Sequence, residues 1–479
     1  MLGRQVLGFL PAHVVPAVTS FVGVYVFTRF ATPAEYGLFA LAMSVAQMCQ
    51  SVLFSWVQVG ATRHIESSRR NGTLHELQAA VYRSHAATFV LFAVGYAVVL
   101  LLLPLEPRVR NALWWVLLIV GLRSLVAVNQ AFHRGDLKTA RFNVIECTQA
   151  LVQLGLGLAL LVMTTAGAGA LLASAAVAAS LVLMIDVPAV SDALRRSASR
   201  AEVMALLRFG LPLSTAFALN YVLATSDRLL VEYYLGSSAV GVYSVAYGLM
   251  DRSVSSLFVA ISLAAYPLAV HAYEREGAAA ASRQLRSNGK LMLAVTLPIC
   301  ALMICLNKQL AAVMVGEAFR GEAQAIMPWI ALAALLAGFQ MHFFDHAFHL
   351  SRRTSLFVWT TGPAALVNIA ANVVLLPRLG LMGAVWATLA GYAVSLATSV
   401  IVGARVFKVP LDLPELARVV VACAVMSAAV LATRLPSSVL GLFEGCLVAF
   451  ASYGAMAFVL DIGNARSRVQ ASWTRWTAS

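Results

Sequence analysis

Residues 86–122, AATFVLFAVGYAVVLLLLPLEPRVRNALWWVLLIVGL, decide the fold. Two apolar runs, which extend to 79–104 and 111–131, flank the short polar connection PLEPRVRN at 104–111. Each run exceeds the about 20 residues that a helix needs to cross a hydrocarbon core. A barrel strand would alternate polar and apolar residues over about ten positions, and these runs do not alternate. A continuous apolar run satisfies its backbone in lipid only as a helix. The stretch therefore predicts two antiparallel transmembrane helices.

The same unit recurs along the chain. Apolar runs near 6–30, 36–60, 143–163, 167–187, 207–233, 240–268, 290–307, 324–350, 355–376, 380–402, 416–433 and 438–460 complete a set of about fourteen. Composition agrees: 479 residues are 61% hydrophobic and 11% charged, with a mean hydropathy of +0.82. A soluble domain of this size has too little polar surface here to cover its core. The sequence predicts an all-α integral membrane protein with about 14 transmembrane helices.

Lys and Arg crowd into every second connection. Twenty-four, from Arg4 through Arg69, Arg70, Lys138, Arg195, Arg286, Arg353 and Lys408 to Arg475, fall on one side. Only Arg108, Arg110, Lys308, Arg320, Arg378 and Arg434 fall on the other. Cytoplasmic loops retain cations, so both termini are expected in the cytoplasm. The net charge of +13 is spread over many short segments, which argues for anionic membrane lipids and against nucleic acid as partner. The first run continues through Arg29 without a small-residue cleavage pattern and is expected to be retained as a helix. Six cysteines, none in CxxC spacing, read as small apolar residues, with no metal site.

Two internal echoes suggest a repeat. FTRFATPAEYGLFALA at 27–42 aligns with VEYYLGSSAVGVYSVA at 231–246, placing Gly37 over Gly241 and Phe39 over Tyr243. GAGALLASA at 167–175 pairs with GLMGAVWATLA at 380–390. The expected organisation is two pseudo-symmetric six-helix bundles, 1–190 and 207–404, with a cytoplasmic linker at 191–206. A C-terminal helical hairpin at 405–461 and a basic tail at 462–479 follow.

Ionisable residues inside spans cost about 2.5 to 3.5 kcal/mol on insertion scales and are expected to face a partner or water. The span at 207–233 carries Asn220, Asp227 and Arg228; the next carries Tyr243, Tyr247, Asp251 and Arg252. Each Asp and Arg either pairs with a neighbouring helix or lines a hydrated cavity. Arg123 is the matching cation of the N-terminal bundle. Arginines suit a phosphate-bearing substrate, because guanidinium binds phosphate through paired donors. Gln47, Ser51, Ser55 and Gln58 form a polar, uncharged stripe that either hydrogen-bonds sugar hydroxyls or packs helices. QMHFFDHAFHL at 340–350 places His342, Asp345, His346 and His349 on one face. It lacks the HExxH order of zinc hydrolases and reads as a hydrated vestibule with titratable groups. No P-loop, GxSxG elbow or large extramembrane domain points to an enzyme.

The segments FTRFATPAEYGLFALA and SDRLLVEYYLGSSAVGVYSVAYGL (226–249), with the fourteen spans, resemble the bacterial polysaccharide-biosynthesis flippases of the multidrug/oligosaccharidyl-lipid/polysaccharide exporter superfamily. The resemblance implies translocation of an undecaprenyl-diphosphate-linked oligosaccharide across the bacterial inner membrane for O-antigen or exopolysaccharide. It implies alternating access and a cationic central cavity matched by Arg123, Arg228 and Arg252. Gln47, Ser51 and Tyr247 are expected beside them, with Asp227, Asp251, His342, Asp345 and His346 as coupling or cavity residues. No cofactor is expected beyond a proton or sodium gradient. A polysaccharide polymerase and a chain-length regulator are candidate partners. Alternatives are a cation-coupled multidrug exporter, a lipid II flippase, or a membrane polymerase or ligase acting on lipid-linked sugars.

Overall fold

The turn between the first two helices follows from the sequence TPAE. Helix α1 (Leu10–Phe30) ends just before Thr32, whose backbone is extended (φ −72°, ψ 159°) and whose Oγ1 accepts the Glu35 N–H. The Glu35 carboxylate accepts the Thr32 N–H in return, at 2.9 Å. This reciprocal cap satisfies two donors that a helix start leaves open, and Pro33 occupies a first-turn position that needs no N–H. Helix α2 (Pro33–Cys49) then runs through a π turn at Gln50–Phe54 into α3 (Ser55–Arg70).

The computed structural model describes residues 8, 10–136, 138–464 and 466. Arg4 and most of the basic tail at 462–479 lie outside them, as does the side chain of Asn220. The helices that follow are α4 (Leu74–Leu102), α5 (Pro107–Gly135), α6 (Thr139–Met163), α7 (Ala168–Met184), α8 (Val187–Arg195), α9 (Arg200–Leu235) and α10 (Ser237–Glu276). Next come α11 (Ala278–Cys305), α12 (Asn307–Met314), α13 (Glu317–Phe339), α14 (His346–Leu350), α15 (Phe357–Leu379), α16 (Leu381–Ala404), α17 (Leu413–Ala432) and α18 (Val439–Val459). A second π turn, Gln340–Phe344, joins α13 to Asp345 and α14. No strand occurs among the described residues.

Among the described residues, twelve helical segments are long and apolar enough to cross a membrane. Ala168–Met184 is apolar at 17 residues, and Arg200–Leu235 runs for 36. Together they account for about fourteen spans. The chain is a multi-pass membrane protein.

Contacts divide the chain into Met1–Ser244 and Val245–Ser479. In the first unit α1 packs on α6, α6 on α7, α5 on α2 and α7, and α9 on α3. In the second, α15 packs on α16, α16 on α13, and α11 on the α17–α18 hairpin.

Both sequence echoes mark helix starts. Gly167 (φ 51°, ψ −118°) precedes α7, and Gly380 (φ 58°, ψ −140°) precedes α16. Side chains rarely tolerate that backbone region, so glycine is required at each turn. Gly37 and Gly241 do something different: they meet. A Cβ on Gly37 would lie 1.8 Å from the Ser237 carbonyl oxygen, and one on Gly241 would lie 2.0 Å from the Pro33 carbonyl oxygen. Under the alignment of 27–42 with 231–246, Pro33 corresponds to Ser237 and Gly37 to Gly241. The crossing of α2 with α10 is therefore reciprocal, each glycine seated on the carbonyl at the start of the other helix.

Candidate functional site

Three consecutive elements, α2, the π turn and α3, project Gln47, Gln50, Ser51, Ser55, Gln58 and Thr62 into one cavity of about 860 Å³ in the first unit. A π turn adds one residue to the helical repeat and is frequent at functional sites. Here it lies where Gln50 and Ser51 enter the wall. Helix α9 supplies Phe209 and Tyr221 opposite. It comes close to α3 because Gly60 and Gly210 carry no side chain: a Cβ on Gly210 would sit 2.1 Å from the Trp56 carbonyl oxygen.

Helix α5 contributes Arg123 and Arg134, and α3 contributes Arg63 and Glu66. Arg123 and Arg134 are eleven residues apart, three turns and a little more, so they share one face of α5 at a separation of about 16 Å. Arg123 has neither a hydrogen bond nor an ion pair among the described residues. Arg134 lies 5.5 Å from the Phe142 ring centroid, and Arg63 lies 5.8 Å from that of Phe209. The one lining carboxylate, Glu66, is engaged by Arg69 and Arg70 at 3.4 and 3.1 Å. Glu146, which accepts the Gln130 amide at 2.7 Å, attracts Arg123 and Arg134 without pairing with either. The wall thus carries three guanidinium groups and a ladder of amides and hydroxyls, chemistry suited to an anionic, hydroxyl-rich ligand.

Of the residues singled out in the sequence, Gln47, Ser51 and Arg123 line this cavity. Others stand elsewhere. Asp227 is buried and accepts the Tyr243 hydroxyl at 2.9 Å, and Arg228 donates from Nε to Ser244 at 3.3 Å while lying over the Tyr243 ring. These contacts tie α9 to α10. In the second unit Tyr247 and Tyr392 share a hydroxyl contact of 3.2 Å, Asp251 accepts Ser255 Oγ at 3.0 Å, and Arg252 is exposed. His342 stacks on Phe258, and His346 stacks on Tyr266 with ring centroids 4.4 Å apart. Asp345 is buried between Gln340 and Ser399. Arg63, Arg134, Phe209 and Tyr221 carry no sequence signal for the cavity, because the two arginines read as ordinary loop cations.

Near the cavity's charged end, Asp186 caps the connection between α7 and α8. It receives His133 Nε2 at 3.0 Å and Arg141 Nη2 at 2.7 Å, and Arg141 also bonds the Ile185 carbonyl. Burial pushes the Asp186 carboxyl up, but the hydrogen bond and charge of His133 and the Arg141 guanidinium outweigh it and hold the carboxyl below its usual range. A depressed acid contributes stability that is present above its unfolded value, about 3.9, and is lost as pH falls through the folded value. Asp186→Asn is expected to cost about 2 kcal/mol at neutral pH. The gap between wild type and variant, read as thermal midpoints in detergent, should stay constant down to about pH 4 and close below it. A gap that closes between pH 7 and 5 would contradict this account.

The chain has the fold of known transporters. It superimposes on the lipid II flippase MurJ in an inward closed conformation with a TM-score of 0.76 at 12% identity, covering 95% of this chain and 98% of that one. An inward-facing multidrug resistance MATE family transporter of the MOP superfamily gives 0.66 at 14%, covering 83% and 97%. A Vibrio cholerae MATE transporter gives 0.58 at 13%, covering 84% and 96%. No curated protein matches the chain. The family model described as polysaccharide biosynthesis protein matches residues 26–324, a segment that contains every residue of the cavity, and the chain belongs to that family.

Proposed function

We propose that this protein is a flippase that carries undecaprenyl-diphosphate-linked oligosaccharide units across the bacterial inner membrane, for assembly of a surface polysaccharide such as O-antigen or exopolysaccharide. The observation that carries this reading is the first-unit cavity: three arginines that make no hydrogen bond or ion pair among the described residues stand beside an uncharged amide and hydroxyl ladder. Unaided passage of a sugar diphosphate through hydrocarbon would strip each polar group of water at several kcal/mol. The cavity replaces that water while the prenyl tail stays in lipid. Alternating access moves the load, with 1–190 and 207–404 as the bundles that rearrange, 405–461 as an appended hairpin and both termini in the cytoplasm. A proton or sodium gradient supplies the energy. A polymerase and a chain-length regulator act on the delivered units, and this chain itself performs no covalent chemistry. A cation-coupled multidrug exporter would need acidic groups at the cavity wall, where Glu66 is already engaged by two arginines.

Complementation of a bacterium lacking its own oligosaccharide flippase, with surface polysaccharide as readout, tests this. Wild type is expected to restore polysaccharide, and Arg123→Ala is expected to reduce it at least tenfold at equal membrane abundance. Arg252→Ala, at an exposed position outside the cavity, is expected to restore it fully. Rescue by Arg123→Ala equal to wild type would remove the cavity from the mechanism.

A further inference from the structure

Helices α5 and α6 form a hairpin, and the cavity arginines stand on the side of α5 that α6 meets. Arg123, Gln130 and Arg134 follow one another at seven and four residues, so they share one face of α5. Phe142 and Glu146, four residues apart, share a face of α6. Phe142 lies 5.5 Å from the Arg134 guanidinium, and Glu146 Oε1 accepts the Gln130 amide at 2.7 Å. Gln130 is buried and Glu146 half-buried. Neither belongs to the cavity lining, whereas both arginines do. Glu146 Oε2 takes no hydrogen bond among the described residues.

Gln130 therefore fixes a carboxylate between the levels of the two guanidinium groups, about 10 Å from Arg123 and about 6 Å from Arg134 measured along α5. That carboxylate attracts both without pairing with either, and Tyr221 of α9 adds to the attraction on Arg123. An anion at this range lowers the cost of holding cations out of water, a cost that the empty cavity bears in full. It occupies none of their N–H donors, which stay open for phosphate oxygens. The same charge repels an arriving phosphate, because Coulomb forces act over the same distances whatever their sign. A carrier turns over only if its load leaves, and tight binding is paid back as slow dissociation.

We infer that Glu146 is a resident counter-anion of the cavity: it compensates Arg123 and Arg134 when the cavity is empty and opposes the diphosphate when it is full, so that the headgroup can leave. The inference rests on the flippase reading and adds to it the residue that sets release. Glu146 is a positioning residue, acting through its charge and through the arginines, with no contact to the ligand required of it.

The test uses the purified full chain in detergent and a synthetic short-chain prenyl diphosphate bearing a neutral glucose trisaccharide. Glu146→Gln and Glu146→Ala both remove the charge. Each is expected to bind the probe about tenfold more tightly than wild type, chiefly through slower dissociation. Glu146→Asp keeps the charge and is expected to stay within about threefold of wild type. Thermal melts of each variant verify folding, and a merely structural role would lower affinity and not raise it. In the complementation assay Glu146→Gln is expected to give less polysaccharide than wild type at equal membrane abundance, because its load leaves slowly. Unchanged or weaker binding by both neutral variants overturns the inference and leaves the flippase reading in place, as does tighter binding joined to undiminished rescue. Tightening by Glu146→Asp equal to that by Glu146→Gln also overturns it, since charge is then not the cause. No binding of the probe by wild type overturns the flippase reading and the inference with it.

Discussion

Gly37→Ala is expected to destabilise the protein by about 3 kcal/mol, at the upper end of what overpacking costs, and Gly241→Ala by a similar amount. The added methyl group meets a backbone carbonyl and not the far end of a flexible side chain, at 1.8 Å in one case and 2.0 Å in the other. Relief requires α2 and α10 to move apart as rigid helices. Because both clashes sit in the same crossing, the movement that relieves one relieves the other. The double variant should therefore cost clearly less than the sum of the two single variants, a coupling that independent sites do not show. Gly248→Ala is the control: its Cβ would meet nothing within 4 Å, so the change is expected to be neutral or to stabilise by up to about 1 kcal/mol through helix propensity. Thermal unfolding of the full chain in detergent measures all four. Additive losses at Gly37 and Gly241 would show that the two glycines do not share one contact. In transport, a wedge at this crossing would favour conformations in which the two helix starts are apart, so both single variants are expected to impair polysaccharide rescue more than their stability loss explains.

The spans were legible because hydropathy is a property of composition over about 20 residues and needs no knowledge of neighbours. The echo at Gly37 and Gly241 was legible as similarity, but the sequence could not show that the two copies touch each other. The cavity was partly readable. Gln47, Ser51, Ser55 and Gln58 stand at helical spacing, and Arg123 is conspicuous as a cation within an apolar run. Arg63 and Arg134 were counted among loop cations, since nothing in a sequence tells a side chain at a helix end to turn toward a cavity and not toward lipid headgroups. Arg228 shows the converse. Its charge within a span suggested a ligand site, yet Tyr243 and Ser244, one turn pair along the next helix, already engage it. The π turns at Gln50 and Gln340 left no signature at all, because they depend on which backbone carbonyls the following residues reach, a matter settled by packing. The histidines of 340–350 formed a face on paper, while in the fold their rings are absorbed one by one against Phe258 and Tyr266.

Asp345→Leu is expected to be the most damaging single change in the second unit. Asp345 is 4% exposed, and its two oxygens accept from Gln340 Nε2 and from Ser399 Oγ at 2.8 Å. Both donors are themselves buried, at 2% and 0% exposure. Leucine fills the volume but accepts nothing, so two donors lose their partner at about 1 to 3 kcal/mol each, and the total loss should approach about 4 kcal/mol. Asparagine keeps the shape and one acceptor oxygen, so Asp345→Asn should cost less than half as much. Ser399→Ala removes one donor together with its demand for an acceptor and should cost about 1 kcal/mol. Adding Ser399→Ala to Asp345→Leu should recover part of the leucine loss, since one of the two stranded donors is then gone. Denaturant or thermal melts of the four proteins give the order. If leucine and asparagine prove equally costly, one acceptor oxygen is not enough at this position and both carboxylate oxygens are needed to hold Gln340 and Ser399. If leucine alone is costly, the carboxyl group holds the π turn of α13 against α16, because Gln340 begins that turn and Ser399 lies on the helix packed against it.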